Sequence, residues 1–249
     1  MVCRGKTPAR YESLGGCAIW HRLPRAPSRA ARGIADNEAV SVTGRVEAFS
    51  DGVLAIAITL LVLDLRVPAR DTLQGSLAEA LAREWPSYAA YVTSFLVIGI
   101  IWINHHAVFQ LIDQVDRMLL FVNLLLLMSV AAIPFTTSLL AEYLTAGRDA
   151  RTAAVVYSGV MLAMAVAFSA IYARAARHPG LLRDGVDPVA ARAAILRFSA
   201  GTLVYLATVG VAFASAPLCL ALHFTIAVYY SFQRISLGGM SRGPARSDA

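Results

Sequence analysis

The apolar positions of this chain gather into six stretches, roughly 46–65, 88–109, 118–143, 151–173, 193–214 and 217–236. Each has the length of a helix that crosses a bilayer, about 20 residues. Polar faces are missing within them. Leu119–Ile133, for example, holds one Asn and one Ser. A soluble helical bundle needs a polar outer face on each helix. The pattern therefore predicts an all-α polytopic membrane protein with six transmembrane helices. Pro134 inside the third stretch predicts a kink there, with the nearby hydroxyls of Thr136, Thr137 and Ser138 able to satisfy freed backbone groups. Between the first two stretches, Leu73–Ala82 predicts a short amphipathic helix at the outer surface.

Composition agrees. Hydrophobic residues make up 57% and charged residues 15%, against about 25% charged in a soluble domain; mean hydropathy is +0.60. The net charge of +6 does not point to nucleic acid, because topology accounts for it. With six spans and the N-terminus inside, 17 of the 22 Lys and Arg fall on the inner side. That asymmetry places both termini in the cytoplasm. Residues 1–42 are basic and lack the apolar core of a secretory signal, and are predicted to form a disordered cytoplasmic tail. Residues 43–236 form the membrane domain and 237–249 a short cytoplasmic tail. The loop 174–192, with Arg174, Arg177 and Arg183, is predicted to meet anionic lipid headgroups. Cys3, Cys17 and Cys219 are scattered and read as free thiols rather than a metal or redox motif.

Arg45-Val46-Glu47-Ala48-Phe49-Ser50-Asp51-Gly52-Val53 opens the first span. Ionisable groups cost about 2.5–3.5 kcal/mol each at the centre of a membrane helix, so they persist where they face protein or water. At 100° per residue, Phe49, Gly52, Ala55, Ile56, Thr59, Leu60 and Leu63 share one side, and Leu54, Ile58 and Leu61 the other. Gly52, Ala55 and Thr59 make a small-residue stripe that admits a close neighbour. Ile56, Leu60 and Leu63 form a ladder beside it. The ladder fits ordinary bundle packing, which is the simpler reading. It also fits a hydrophobic constriction built where several copies meet around an axis, which gates by dewetting.

In the second span, Trp102, His105 and His106 lie at the depth of Arg45–Asp51, and Asn123 of the third span is near that level. A polar network linking three helices is predicted. The adjacent histidines point about 100° apart and no Cys or HExxH spacing accompanies them, so no metal site is predicted. The chain has no nucleophile elbow, P-loop or dinucleotide fingerprint, so neither an enzyme nor a cofactor is expected. A TVGYG-type carbonyl filter is absent too.

Arg45-x-x-x-Phe49-Ser50-Asp51-Gly-Val, followed by Ala-Ile-x-x-Thr-Leu-Leu, resembles the signature of the transmembrane protein 175 family. These are endolysosomal potassium channels and their bacterial relatives. Trp102-x-x-His105-His106 and Pro134-Phe-Thr resemble it as well, and the likeness spans about 43–236. It implies six helices per repeat, a homotetramer, and a potassium-permeable pore lined by the first helix without a carbonyl filter. Its constricting positions fall on Ile56, Leu60 and Leu63, with Thr59 beside them. It places Arg45, Phe49, Ser50 and Asp51 in a structural network with Trp102 and His105. The setting it implies for a bacterial member is the plasma membrane, with potassium the only bound species. Two other classes are weighed beside it: a proton- or cation-coupled transporter titrating through Asp51 and His105, and a non-conducting scaffold.

Overall fold

The computed structural model describes residues 42–69 and 75–232, apart from the side chains of Arg197 and Phe198. The basic stretch before Val42 and the tail 237–249 lie outside the described residues. The described chain is helical throughout. Helix α1 (Val42–Leu60) runs into a 3-10 turn at Leu61–Asp64, followed by α2 (Leu77–Arg83), α3 (Trp85–Phe109), α4 (Arg117–Ala131) and α5 (Ile133–Tyr143). Then come α6 (Arg148–Arg177), α7 (Pro188–Ala193), α8 (Ile195–Ala214) and α9 (Ala216–Phe232). Among the described residues the only β pairing is a single bridge, Ile112 to Leu182.

Local chemistry sets the boundaries. Ser76 and Glu79 form a reciprocal capping box at the start of α2, which satisfies two donors that a helix start otherwise leaves open. Asp116 caps α4 by accepting from Leu119 N at 2.8 Å. The third stretch is interrupted at Ala132, just before Pro134. Proline has no N–H to give the preceding turn. Thr136 and Thr137 hydroxyls both donate to Ile133 O, at 3.1 and 2.8 Å.

Four helical stretches are long and apolar enough to cross a membrane: Val42–Asp64, Trp85–Phe109, Arg117–Tyr143 and Arg148–Arg177. Two further apolar helices, Ser199–Ala214 and Ala216–Phe232, are shorter. All six fall on the six predicted stretches. The 30-residue α6 is the hub, packing on α4, α5, α8 and α9. Its Ala150, Ala153, Ala154, Ala175 and Ala176 are buried, and small residues let backbones approach closely. At one end of the bundle Thr43 Oγ1 donates to Asp113 O at 2.6 Å, and Arg183 N donates to Leu111 O at 2.9 Å. At the other end Arg66 pairs with Glu142 at 3.3 Å. The first four spans therefore alternate in direction.

Helix α1 is the least covered. Of its most apolar window 22% is buried, against 44%, 44% and 50% for the other three long spans. It packs on α3 and α4 and touches α5. The loop 174–192 is more structured than its composition suggests. It holds a 3-10 turn at Pro179–Leu181 and α7, whose N-cap is Asp187.

Candidate functional site

The two sides of α1 have different fates. Leu54, Ala57 and Leu61 are buried against the bundle. Ile56 is 61% exposed, Leu60 43% and Leu63 74%. Gly52, Ala55 and Thr59 are exposed too. A Cβ built on Gly52 meets nothing within 4 Å. The ladder and the small stripe thus form one apolar face that no helix among the described residues covers. Among the described residues, packing of that face within the subunit, the simpler reading of the pattern, does not occur. Leu54, on the other side of the helix, belongs to the core. The Thr59 hydroxyl donates to Ile56 O at 2.9 Å.

The polar network forms on the opposite side. Asn123 Nδ2 donates to Ser50 Oγ at 3.0 Å, and Asn123 Oδ1 lies 3.0 Å from His105 Nε2. Ser50 donates its own hydroxyl proton to Val46 O at 2.9 Å, so its oxygen must accept from Asn123. That fixes the amide orientation. Asn123 Oδ1 then faces the imidazole, and His105 must donate through Nε2–H. All three side chains are buried. His105 Nδ1 has no hydrogen-bond partner, and its ring stacks on Phe109 with centroids 4.2 Å apart.

A second pair of contacts joins α1 to α3 at the edge of this network. Trp102 Nε1 donates to Asp51 Oδ1 at 3.0 Å. One turn away, Glu47 Oε1 lies 2.5 Å from His106 Nδ1, and His106 Nε2 is 3.0 Å from Gln110 Nε2. The helices run antiparallel, so Glu47 and Asp51, four apart, meet His106 and Trp102, also four apart. That double spacing of four was the signal by which the Glu47–His106 contact could have been found in the sequence.

Three expectations need correction. Arg45 and Phe49 stand outside the network. Arg45 is exposed and its side chain makes no hydrogen bond or ion pair among the described residues, and Phe49 is 57% exposed. Trp102, His105 and His106 do not share one environment: His105 is buried, while the other two are exposed. Asp51 and His105 are not partners, because each is engaged elsewhere. A third cluster escaped sequence reasoning. Ser94 Oγ bonds Thr137 Oγ1 at 2.7 Å and Tyr157 Oη at 3.0 Å, and Cys219, a free thiol, lies 3.1 Å from Ser158 Oγ. Below the spans, Arg174 forms a charged pair with Asp116, with Nε to Oδ2 at 3.1 Å. This guanidinium, aided by the Leu119 N–H, holds the Asp116 carboxyl below its usual range.

An all-helical membrane bundle with an uncovered apolar face on its first helix, latched to its neighbours by a buried Ser–Asn–His chain, has the form of a channel subunit. Residues 45–134 match the family profile described as endosomal/lysosomal potassium channel TMEM175. A potassium channel of Streptomyces collinus is 57% identical over 193 residues, covering 78% of this chain and 93% of that one. The crystal structure of a lysosomal potassium-selective channel TMEM175 homolog from Chamaesiphon minutus superposes with a TM-score of 0.69 at 41% identity, covering 76% of this chain and 96% of that one. The human endosomal/lysosomal proton channel TMEM175 is 30% identical over 196 residues, covering 76% of this chain and 38% of that one. The chain belongs to the TMEM175 family, a family of ion channels and not of enzymes.

Proposed function

We propose that this protein is a potassium-permeable channel in which four copies of α1 surround a pore. The observation that carries the reading is the uncovered face of α1. Three large aliphatic side chains in a ladder, beside a small-residue stripe, face away from the bundle that the described residues build. Around a symmetry axis that face supplies rings of Ile56, Leu60 and Leu63. Such rings exclude water when narrow and pass a partly dehydrated ion when wider. Conduction is passive. Thr59 offers a hydroxyl oxygen beside the rings. The six apolar helices cross the membrane, with α8 and α9 as the short last pair, and the positive-inside asymmetry places both termini in the cytoplasm. The membrane is the cell's own, and the Arg-rich loop 174–192 faces its anionic headgroups. The domain 43–236 is the channel, flanked by the tails 1–42 and 237–249.

Ile56→Asn wets the ring and Ile56→Ala widens it. In proteoliposomes, bi-ionic reversal potentials are expected to show higher potassium flux and a weaker potassium-over-sodium preference for both. Leu203→Ala, on the exposed side of α8, is expected to change neither. Unchanged selectivity in a conducting Ile56→Asn protein removes Ile56 from the permeation path. Protons are the second candidate ion, on the likeness to the human proton channel, and a pH gradient imposed at symmetric potassium tests that. A coupled transporter built on Asp51 and His105 is the less favoured reading, since Asp51 bonds Trp102 and His105 bonds Asn123 rather than each other.

A further inference from the structure

Helix α2 plays no part in that reading, yet it is a well-made element. The capping box of Ser76 and Glu79 fixes its start, with Glu79 N to Ser76 Oγ at 3.2 Å and Ser76 N to Glu79 Oε2 at 3.3 Å. Leu77 and Leu81 lie one turn apart, 55% and 40% exposed. Ala82 and Arg83 project to other sides and are exposed too. Only Glu84 separates α2 from α3, so α2 sits where a span enters the bilayer. The first residue of α3 is Trp85, 50% exposed, and tryptophan is enriched at that boundary. Val92 and Phe95, both exposed, continue the apolar strip along α3. The exposed leucines of α2 thus lead in the chain directly into the exposed apolar residues of α3.

We propose that α2 is an interfacial anchor that binds the lipid surface. It lies in the membrane plane with Leu77 and Leu81 at the headgroup–acyl boundary and Arg83 toward the headgroup phosphates, its aliphatic stem spanning the difference in depth. It sets the height at which α3 enters. The assignment to the outer leaflet rests on the topology proposed above; the lipid contact does not.

The test uses the full chain with Cys3→Ser and Cys17→Ser, Cys219 being buried. Nitroxides are attached at Leu77→Cys, Leu81→Cys, Ala82→Cys and Arg83→Cys in phosphatidylcholine–phosphatidylglycerol vesicles. Collisions with oxygen are expected to exceed those with an aqueous nickel chelate several-fold at 77 and 81, with the order reversed at 82 and 83. High nickel access at all four positions overturns the proposal in favour of water. Exclusion of both reagents at 77 and 81 overturns it in favour of a second copy of the chain. In intact cells, an impermeant thiol reagent is expected to reach Arg83→Cys from outside. Failure of that step alone reverses the topology and leaves the lipid contact standing.

Discussion

Replacing Asn123 by leucine tests whether the buried chain Ser50–Asn123–His105 holds α1 in place. Leucine has similar volume, so little cavity forms and the loss is polar. Two hydrogen bonds disappear, each 3.0 Å long. Interhelical hydrogen bonds in membranes average roughly 0.6 kcal/mol, so the pair accounts for about 1 kcal/mol. The larger effect is the imidazole left behind. His105 is 0% exposed and its Nδ1 already lacks a partner. Without Asn123 its Nε2–H has none either, and a stranded buried donor costs about 1–3 kcal/mol. Asn123→Leu should therefore destabilise by about 2–4 kcal/mol. Ser50 keeps its bond to Val46 O and adds little. His105→Phe strands Asn123 Oδ1 instead and should also be costly. The double variant removes both groups, and replacing both partners is far cheaper than removing one. It should be more stable than the sum of the single effects by about 1–2 kcal/mol, a coupling of the size expected for residues in one network. Thermal unfolding of the detergent-solubilised oligomer, followed by size-exclusion retention, gives all four corners of the cycle. Strict additivity would refute the reasoning, because the hydrogen bonds would then not be what links the residues. Reversal potentials of the surviving variants should match the parent, since none of these groups lies on the exposed face of α1.

Cysteine at Leu60 should crosslink between subunits under mild oxidation, whereas cysteine at Leu61, 1% exposed against 43% for Leu60, should not; equal yields on denaturing gels would argue against a central α1. Asp116→Ala removes an N-cap and a partner of Arg174, and should cost about 1 kcal/mol for the cap alone near neutral pH. Because the folded Asp116 carboxyl titrates below its ordinary value, its contribution is full above about pH 4 and is lost as pH falls through the lower, folded value. The stability gap between parent and Asp116→Ala should therefore narrow in acid to the share of the cap alone, which a protonated Asp116 keeps, and Asp116→Asn, which still caps, should show a smaller gap at pH 7; a gap that does not narrow at the lowest pH the fold survives would count against the ion pair.

What could be read from the sequence follows from what each residue answers to. The apolar helices, four of them long enough to cross a membrane among the described residues, were legible because the bilayer acts on every residue of a helix at once, and a long apolar run with one Asn and one Ser has no other stable setting. The interruption before Pro134 was legible because proline's missing N–H is local. Ser50, His105 and Asn123 were legible as a cluster because buried polar groups must find partners and these three lie at one depth. Ser94, Thr137 and Tyr157 were not, since single hydroxyls are common in membrane helices and can bond their own backbone, as Thr93 does with Ala89 O at 2.7 Å. Nothing local distinguishes the hydroxyls that reach 43 and 63 residues away.

Arg45 and Phe49 are the instructive misplacements. Both were assigned to the network by resemblance, yet one chain leaves both exposed. They share that condition with Gly52, Ile56, Leu60 and Leu63. Apolar side chains exposed on a membrane protein can be explained by lipid, but Gly52 cannot be explained that way, because a glycine in a helix costs roughly 0.5–1 kcal/mol relative to alanine and no neighbour among the described residues requires its missing Cβ. A close approach from outside the chain gives it a reason. The motif from Arg45 to Leu63 therefore divides by partner. Residues facing inward, such as Ser50, Leu54 and Leu61, are selected by the subunit's own core. Under the proposed assembly, those facing outward answer to copies of the same helix, and their physical logic becomes complete only where those copies meet.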